Sequence, residues 1–380
     1  MNLKTPETSR LFTRWQNPAN GVESYILTER PAPVQKSLYY INRSFTDCGR
    51  YLWVSCMFVP KGGRLVNPVY GVVDFERDEF RVYHETQSPA TAAVDLKTGE
   101  VYWINGLEIW KRGPLEGDEP VRVNTIPAEI AKGRFPEQIA THMTFSADGK
   151  SLNLDARFYR DCYIGEIPLD GSPVKVWEQR PGWYNHAQFS PTDPGAILFA
   201  NEFWQENAAI PFDGLRPYHR MWLIRRGKPA RPVLNEPVSH SGHEWWDADG
   251  KHIWYLHYGV GIKKVEVATG AETLVWADNK AKYPTLSHAY TDAASRYLVA
   301  DAMHLPAPAD CIVCFRNIAT GKDIEIVNRP PLAAHLLQCG HLHPHPQFCC
   351  SDKYICHTTT VHDRVDIALV PTAPLAERTA

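Results

Sequence analysis

The sequence predicts an all-β fold, a seven-bladed β-propeller with four antiparallel strands per blade, from three observations. First, 30 Pro and 24 Gly in 380 residues interrupt long helices and favour short strands joined by turns. Second, 44% of residues are hydrophobic and 22% charged, and 12 Trp, 17 Tyr and 14 Phe supply the apolar area of a large core, which excludes a disordered chain or a coiled coil. Third, one unit recurs at intervals of roughly 44–58 residues: an aromatic residue, a polar Asp/Gly/Ser turn, then an alternating apolar strand.

In chain order the units are Phe45-Thr-Asp-Cys-Gly-Arg-Tyr-Leu-Trp53, the degenerate Val94-Asp-Leu-Lys-Thr-Gly-Glu-Val-Tyr102, Phe145-Ser-Ala-Asp-Gly-Lys-Ser-Leu-Asn153 and Phe189-Ser-Pro-Thr-Asp-Pro-Gly-Ala-Ile-Leu-Phe199. Trp246-Asp-Ala-Asp-Gly-Lys-His-Ile-Trp254, Tyr290-Thr-Asp-Ala-Ala-Ser-Arg-Tyr-Leu298 and Phe348-Cys-Cys-Ser-Asp-Lys-Tyr-Ile355 follow. Each fits an inner strand ending at the aromatic, a tight turn and a second strand. A third strand such as Gly261–Val267, a Thr-Gly turn and an outer strand such as Glu272–Trp276 complete the unit. The predicted blade cores are 38–85, 86–135, 138–182, 183–236, 238–280, 284–330 and 340–371, within a single domain over 1–380. The last unit ends after Asp366-Ile-Ala-Leu-Val370 without a fourth strand, and the unassigned strand at 22–28 is expected to complete it, closing a ring that would otherwise leave unpaired edges.

Charge and cysteine usage narrow the classes of function. A net charge of −3, from 40 basic and 43 acidic residues, does not suit a general binder of nucleic acid or anionic membrane. The polar N-terminus lacks the apolar run of a secretory signal, and no stretch approaches the ~18 apolar residues of a transmembrane helix. Nine irregularly spaced Cys suit reduced thiols, so a cytoplasmic enzyme is expected. Cys311 and Cys314 form a lone CxxC within an apparent strand, and a structural zinc site there lacks a partner pair.

The 16 His are the compositional anomaly. Aligned on the unit aromatic, His142, His186, His243 and His345 stand three residues before it, His288 two before it, and Asn42 three before it in the first unit. Innermost strands line a propeller's channel, so these residues converge on one small volume. A lone His is usually a core or surface residue satisfied by a backbone carbonyl, but recurrence at one repeat position points to a functional cluster. In Gly340-His-Leu-His-Pro-His-Pro-Gln-Phe348, His343 and His345 share a strand face. With His288 they form a candidate three-His metal site, and His341 adjoins it.

Four stretches in order and spacing, His219-Arg-Met-Trp-Leu-Ile224, Gly242-His-Glu-Trp-Trp-Asp247, Ser287-His288 and His343-Pro-His-Pro-Gln-Phe348, resemble the oligogalacturonate lyase family, and the likeness extends diffusely over nearly the whole chain. The resemblance implies a seven-bladed propeller that performs β-elimination on short oligogalacturonates in the cytoplasm, with Mn²⁺ as the divalent metal. By the same resemblance the metal ligands are His288, His343 and His345, the base is His243 and the substrate-neutralising cation is Arg220. The family's Gln ligand stands where this chain has Gly340, so His341, Gln338 or water would complete the sphere. Four nitrogen ligands would move preference from Mn²⁺ towards Zn²⁺, Ni²⁺ or Cu²⁺.

Such an elimination removes the C5 proton of a uronate, which the adjacent carboxylate's charge makes weakly acidic. A cation on that carboxylate stabilises the enolate-like transition state. Arg220 adds a bidentate contact, and His243 must be neutral to act as base. His186, His142 and Asn42 are candidate substrate contacts, with either His a candidate proton donor to the leaving oxygen. Glu244, on the opposite face of an extended strand from His243, reads as structural. The partner is thus an oligosaccharide containing uronic acid, with no nucleic acid and no membrane. Two alternatives remain: a lyase or hydrolase of this fold acting on another uronic-acid glycan, and a non-catalytic interaction propeller. The Arg225-Arg226-Gly-Lys228 run reads as a solvated hairpin turn, and Trp103, Trp110, Trp177, Trp254 and Trp276 as inter-blade packing. The long 203–217 connection reads as a candidate wall of the channel mouth.

Overall fold

The recurring turn sets how each blade begins. After Trp246 the Asp249 carboxylate accepts the Lys251 N–H at 2.7 Å, Gly250 N–H donates to the Asp247 carbonyl at 3.0 Å, and Gly250 takes φ 66°, where a side chain would be strained. After Phe145 the pattern repeats, with Asp148 accepting Lys150 N–H at 3.2 Å, Gly149 donating to Ser146 at 2.8 Å and Gly149 at φ 70°. Each turn folds an inner strand onto a second strand in fixed antiparallel register.

The computed structural model describes residues 3–58, 67–132, 139–203, 207, 209, 216–279, 282–283, 285–303, 311–328 and 343–380. Among these residues the strands form seven sheets. From the inner strand outward, blade I is Val34–Lys36, Tyr51–Met57, Val69–Asp74 and Glu79–Tyr83, and blade II is Ala93–Val94, Val101–Asn105, Glu108–Arg112 and Val121–Thr125. Blade III has three strands, Ser151–Phe158, Asp161–Pro168 and Lys175–Pro181, and its inner segment joins them through a single bridge from Phe145 to Leu152. Blade IV is Tyr184–Phe189, Ala196–Asn201, Met221–Arg225 and Arg231–Pro232; blade V is Ser241–Trp246, His252–His257, Gly261–Glu266 and Glu272–Ala277. Blade VI is Leu286–Thr291, Tyr297–Met303, Cys311–Asn317 and Asp323–Asn328. Blade VII takes Gln347–Cys349, Tyr354–Thr359 and Asp366–Pro371 from the C-terminal part of the chain and Glu23–Leu27 from the N-terminal part. The strand Phe12–Gln16 then adds a fifth, outer position. The ring therefore closes as the sequence predicts, with one strand more than the repeat requires.

The core is divided among the blade interfaces. Leu52, Val54 and Cys56 of blade I pack against Cys349, Ile367 and Leu369 of blade VII, while Trp53, on the opposite face of the same strand, packs against Val101 and Trp103 of blade II. Comparable clusters join blades II and III through Ile104 and Leu154, III and IV through Ile164 and Phe199, IV and V through Leu198 and Tyr255, V and VI through Trp254 and Leu298, and VI and VII through Phe315 and Ile355. Both faces of the middle strands are thus buried, and they read as near-continuous apolar runs. Trp103, Trp254 and Trp276 are buried in these interfaces. The CxxC pair lies in the strand Cys311–Asn317, and among the described residues it joins no cluster of metal ligands. No helix among the described residues is long and apolar enough to cross a membrane.

Blade I departs from its repeat in a way that shapes the site. Its inner strand pairs Lys36 with Ser55 and resumes where Ser44 accepts the Trp53 N–H. While the partner strand advances only from Ser55 to Trp53, this chain runs from Lys36 to Ser44, so residues 37–43 leave the blade and cross the channel. They are anchored to blades V, III and VII in turn: Tyr40 hydroxyl donates to the Glu244 carbonyl at 2.9 Å, Asn42 amide to the Met143 carbonyl at 2.7 Å, and Gln347 amide to the Tyr39 carbonyl at 3.2 Å. This segment plugs the axis. Its lower residues, Ile41 and Arg43, line a cavity of about 180 Å³ with Phe189, Trp245 and Tyr290, and its upper residue Tyr39 faces the histidines.

Candidate active site and metal centre

The recurring histidines sit where the inner strands lose register. Pairing slips between Asn185 and Gln188 in blade IV, between Gly242 and Trp245 in blade V, and between Leu286 and Ala289 in blade VI. His186, His243 and His345 take left-handed backbone, at φ 52°, 49° and 46°. A bulge inserts an unpaired residue and re-aims its side chain, which explains why His288 lies one residue out of phase. It also means that strict alternation fails at His243, so the expected opposite placement of Glu244 does not follow. Glu244 is buried within the same polar cluster.

The candidate metal-ligand group forms around His288, which is fully buried. Asp301, on the next strand of blade VI, accepts the His288 backbone N–H at 2.8 Å and lies 3.0 Å from its Nδ1. A buried carboxylate there keeps the proton on Nδ1 and leaves the Nε2 lone pair as the ligand, the usual outer arrangement behind a metal-binding imidazole. Nε2 lies 3.4 Å from His343 Nδ1. One nitrogen from each of His288, His343 and His345 falls within 4.8 Å of the others, a donor set that fits a divalent cation. His341, Gly340 and Gln338 lie outside the described residues.

Asp301 also accepts the His345 N–H at 3.2 Å, so one carboxylate clasps the inner strands of blades VI and VII. Asp155 repeats the device between blades III and IV, accepting Thr141 N–H at 3.3 Å and Ala187 N–H at 3.1 Å. Burial pushes the Asp155 carboxyl up to about 8, against the lowering effect of the Ala187 and Thr141 hydrogen bonds.

His243 stands beside the metal-ligand group, its ring centroid 4.0 Å from that of His288. Its Nδ1 lies 2.6 Å from the Tyr258 hydroxyl. Burial, followed by the neighbouring His288 and Arg220, holds its pKa well below the usual imidazole value, so it is neutral near pH 7. Arg220 is buried and held by two carboxylates: Nε donates to Glu244 at 3.0 Å, and Nη2 lies 3.0 Å from Glu202. The cation expected to meet a substrate carboxylate thus already pairs with two protein carboxylates. Glu202 in turn lies 3.4 Å from His186 Nε2, and His186 Nδ1 lies 3.4 Å from His142 Nε2. Desolvation lowers the pKa of both His142 and His186, so this pair is neutral as well. The Asn42 amide ties the plug to blade III.

The structure therefore brings His142, His186, His243, His288, His343, His345 and Arg220 into one space and adds residues that repeat alignment does not reveal. Tyr39 is the foremost. Its ring centroid lies 5.1 Å from His142, 5.8 Å from His186, 6.1 Å from His288 and 5.0 Å from His345. Asp301 and Glu202 had a faint signal, as single acids within or at the end of apolar strands. The 203–217 connection falls mostly outside the described residues. Arg225 pairs with Asp193, and Arg226 with Glu166, away from the histidines.

No protein-family profile matches the chain. A curated oligogalacturonate lyase from Dickeya dadantii (strain 3937) is 22% identical over 214 residues, 53% of this chain and 53% of that protein, so the match spans about half the length of that relative. Among solved structures, an oligogalacturonate lyase in complex with manganese superposes with a TM-score of 0.73 at 18% identity, covering 95% of this chain and 96% of that one. An oligogalacturonate lyase from Vibrio parahaemolyticus gives 0.74 at 18% identity with the same coverage. In fold, the protein is a seven-bladed β-propeller of the kind seen in oligogalacturonate lyases.

Proposed function

We propose that the protein is a metal-dependent lyase that cleaves short oligogalacturonides, of the unsaturated digalacturonate type, by β-elimination. The observation that carries this reading is the juxtaposition of the His288, His343 and His345 group, backed by Asp301, with the neutral His243. His288, His343 and His345 would hold the cation, and the manganese bound to a lyase of the same fold supports Mn²⁺ as its identity. A divalent ion there supplies positive charge that stabilises the enolate-like transition state of the uronate.

The chain's own residues supply the rest. His243 accepts the C5 proton on Nε2, which requires Nδ1 to keep its hydrogen and donate it to the Tyr258 oxygen. Arg220 acts as a positioning residue, holding Glu202 and Glu244 and, through Glu202, orienting His186. His186 and His142, at the wall of the same space, contact the sugar. Buried free thiols such as Cys56, Cys314 and Cys356 suit a reducing, cytoplasmic setting.

The test uses untagged protein. Metal analysis is expected to find a stoichiometric divalent ion, and unsaturated digalacturonate is expected to yield an ultraviolet-absorbing unsaturated product. His243→Ala should lower kcat by about 10²–10⁴-fold with the ion retained; near wild-type turnover in that variant would sink the assignment. Running other uronate disaccharides beside digalacturonate identifies the glycan, and absence of both ion and turnover would leave a non-catalytic propeller.

A further inference from the structure

The plug raises a question of its own: why a propeller with a histidine-lined mouth sends a tyrosine onto its axis. Tyr39 and Tyr40 are adjacent, yet they are used differently. Tyr40 is buried, and its hydroxyl is held by the Glu244 carbonyl. Tyr39 is half-buried with its ring among four imidazoles, and among the described residues no hydrogen bond takes up its hydroxyl. The hydroxyls of Tyr70, Tyr83 and Tyr258 have protein partners, whereas among the described residues those of Tyr163 and Tyr218, like that of Tyr39, have none. The ring that carries this hydroxyl is set against imidazoles from four blades, His142 of blade III, His186 of blade IV, His288 of blade VI and His345 of blade VII. An unengaged O–H donor therefore faces the space in which the substrate would lie.

We propose that Tyr39 is the proton donor to the leaving oxygen in the elimination, and this rests on the lyase reading above. His243 Nε2 takes the C5 proton, the C5–H electron pair becomes the C4=C5 double bond, and the C4–O4 bond breaks with its pair passing to O4. Tyr39 releases its hydroxyl proton to O4, completing the departing sugar's hydroxyl. The proton on His243 then returns to the Tyr39 phenolate through solvent, restoring both groups. His142 and His186 are less suited, because a neutral imidazole that donates its only N–H becomes an imidazolate, whereas a phenol donates as the neutral group it already is.

Two substrates separate this role from a structural one: a uronate disaccharide, whose leaving alkoxide needs a proton, and a 4-O-(4-nitrophenyl) uronate, whose leaving nitrophenolate does not. Tyr39→Phe, with its metal content confirmed, is expected to lose about 10²-fold or more in kcat on the disaccharide and only a few-fold on the aryl ether. Equal losses on both, or near wild-type turnover of the disaccharide, overturn the inference while leaving the lyase reading intact. A metal-loaded wild type inactive on both overturns that reading and this inference with it. If Tyr39→Phe does not fold, a series of aryl ethers with the wild type decides: a shallow dependence of rate on leaving-group basicity supports the donor, and a steep one overturns it.

Discussion

At Asp301, one buried carboxylate does three things: it accepts the His288 backbone N–H, holds the His288 Nδ1 proton and accepts the His345 N–H. Asp301→Asn keeps the shape but puts an amide where the anion sat, so His288 loses its fixed tautomer. Metal affinity should fall by about 10–100-fold in equilibrium dialysis, with the far-ultraviolet circular dichroism unchanged; unaltered affinity would remove Asp301 from the site. Arg220 makes the opposite kind of prediction. Removing it leaves Glu202 and Glu244 as buried charges without their cation, so Arg220→Ala should cost about 3–5 kcal/mol of stability in denaturant unfolding, and a variant of wild-type stability would show that those carboxylates have other support. Of these residues, His243, His288 and His345 were legible from their repeat position, and His343 from its two-residue spacing to His345. Asp301 and Glu202 were not, because a single acid in an apolar run reads equally well as a clasp such as Asp155, and only the fold shows which imidazole it faces.

On the scale of the strand, the bulges place the imidazoles and carry a backbone cost. A non-glycine residue held in the left-handed region is disfavoured by about 1 kcal/mol relative to Gly. His186→Gly should therefore be more stable than His186→Ala by roughly that amount in thermal melts, since both remove the ring and only one relieves the backbone at φ 52°. Equal stabilities would mean the strand regains regular pairing once the ring is gone. Period-two reasoning located the inner strands yet misplaced Glu244 relative to His243, because a bulge is a property of pairing between strands and leaves little mark on either one alone. The plug escaped for a related reason. Aligning on Phe45 made Asn42 the counterpart of the histidines, whereas the residue that reaches the axis is Tyr39, carried by an excursion with no equivalent in the other units.

Across the whole molecule, stability is distributed over wedge-shaped cores between neighbouring blades, and the ring is joined by strands from the two ends of the chain. The aromatic-turn repeat made this architecture readable, since each copy marks one inner hairpin, and the missing fourth strand of the last unit pointed to Glu23–Leu27. The added outer strand Phe12–Gln16 was not predicted, because an edge strand with one exposed face has a weak apolar pattern. Deleting residues 1–28 would strip two strands from blade VII and bare the edge of Asp366–Pro371. Size-exclusion chromatography and a thermal melt are expected to show association or loss of the cooperative transition; a monomer melting like wild type would contradict closure by these strands. The same closure imposes an order of events on biosynthesis. Tyr25 pairs with Leu369, so at about 5–20 residues per second of translation the strand Glu23–Leu27 waits tens of seconds for a partner that is synthesised only after blades I to VI. In that interval blades I to VI can stack, but the clasp of Asp301 on His345, and with it the complete candidate metal-ligand group, must await blade VII. Acquisition of the proposed cation would thus be tied to the synthesis of blade VII.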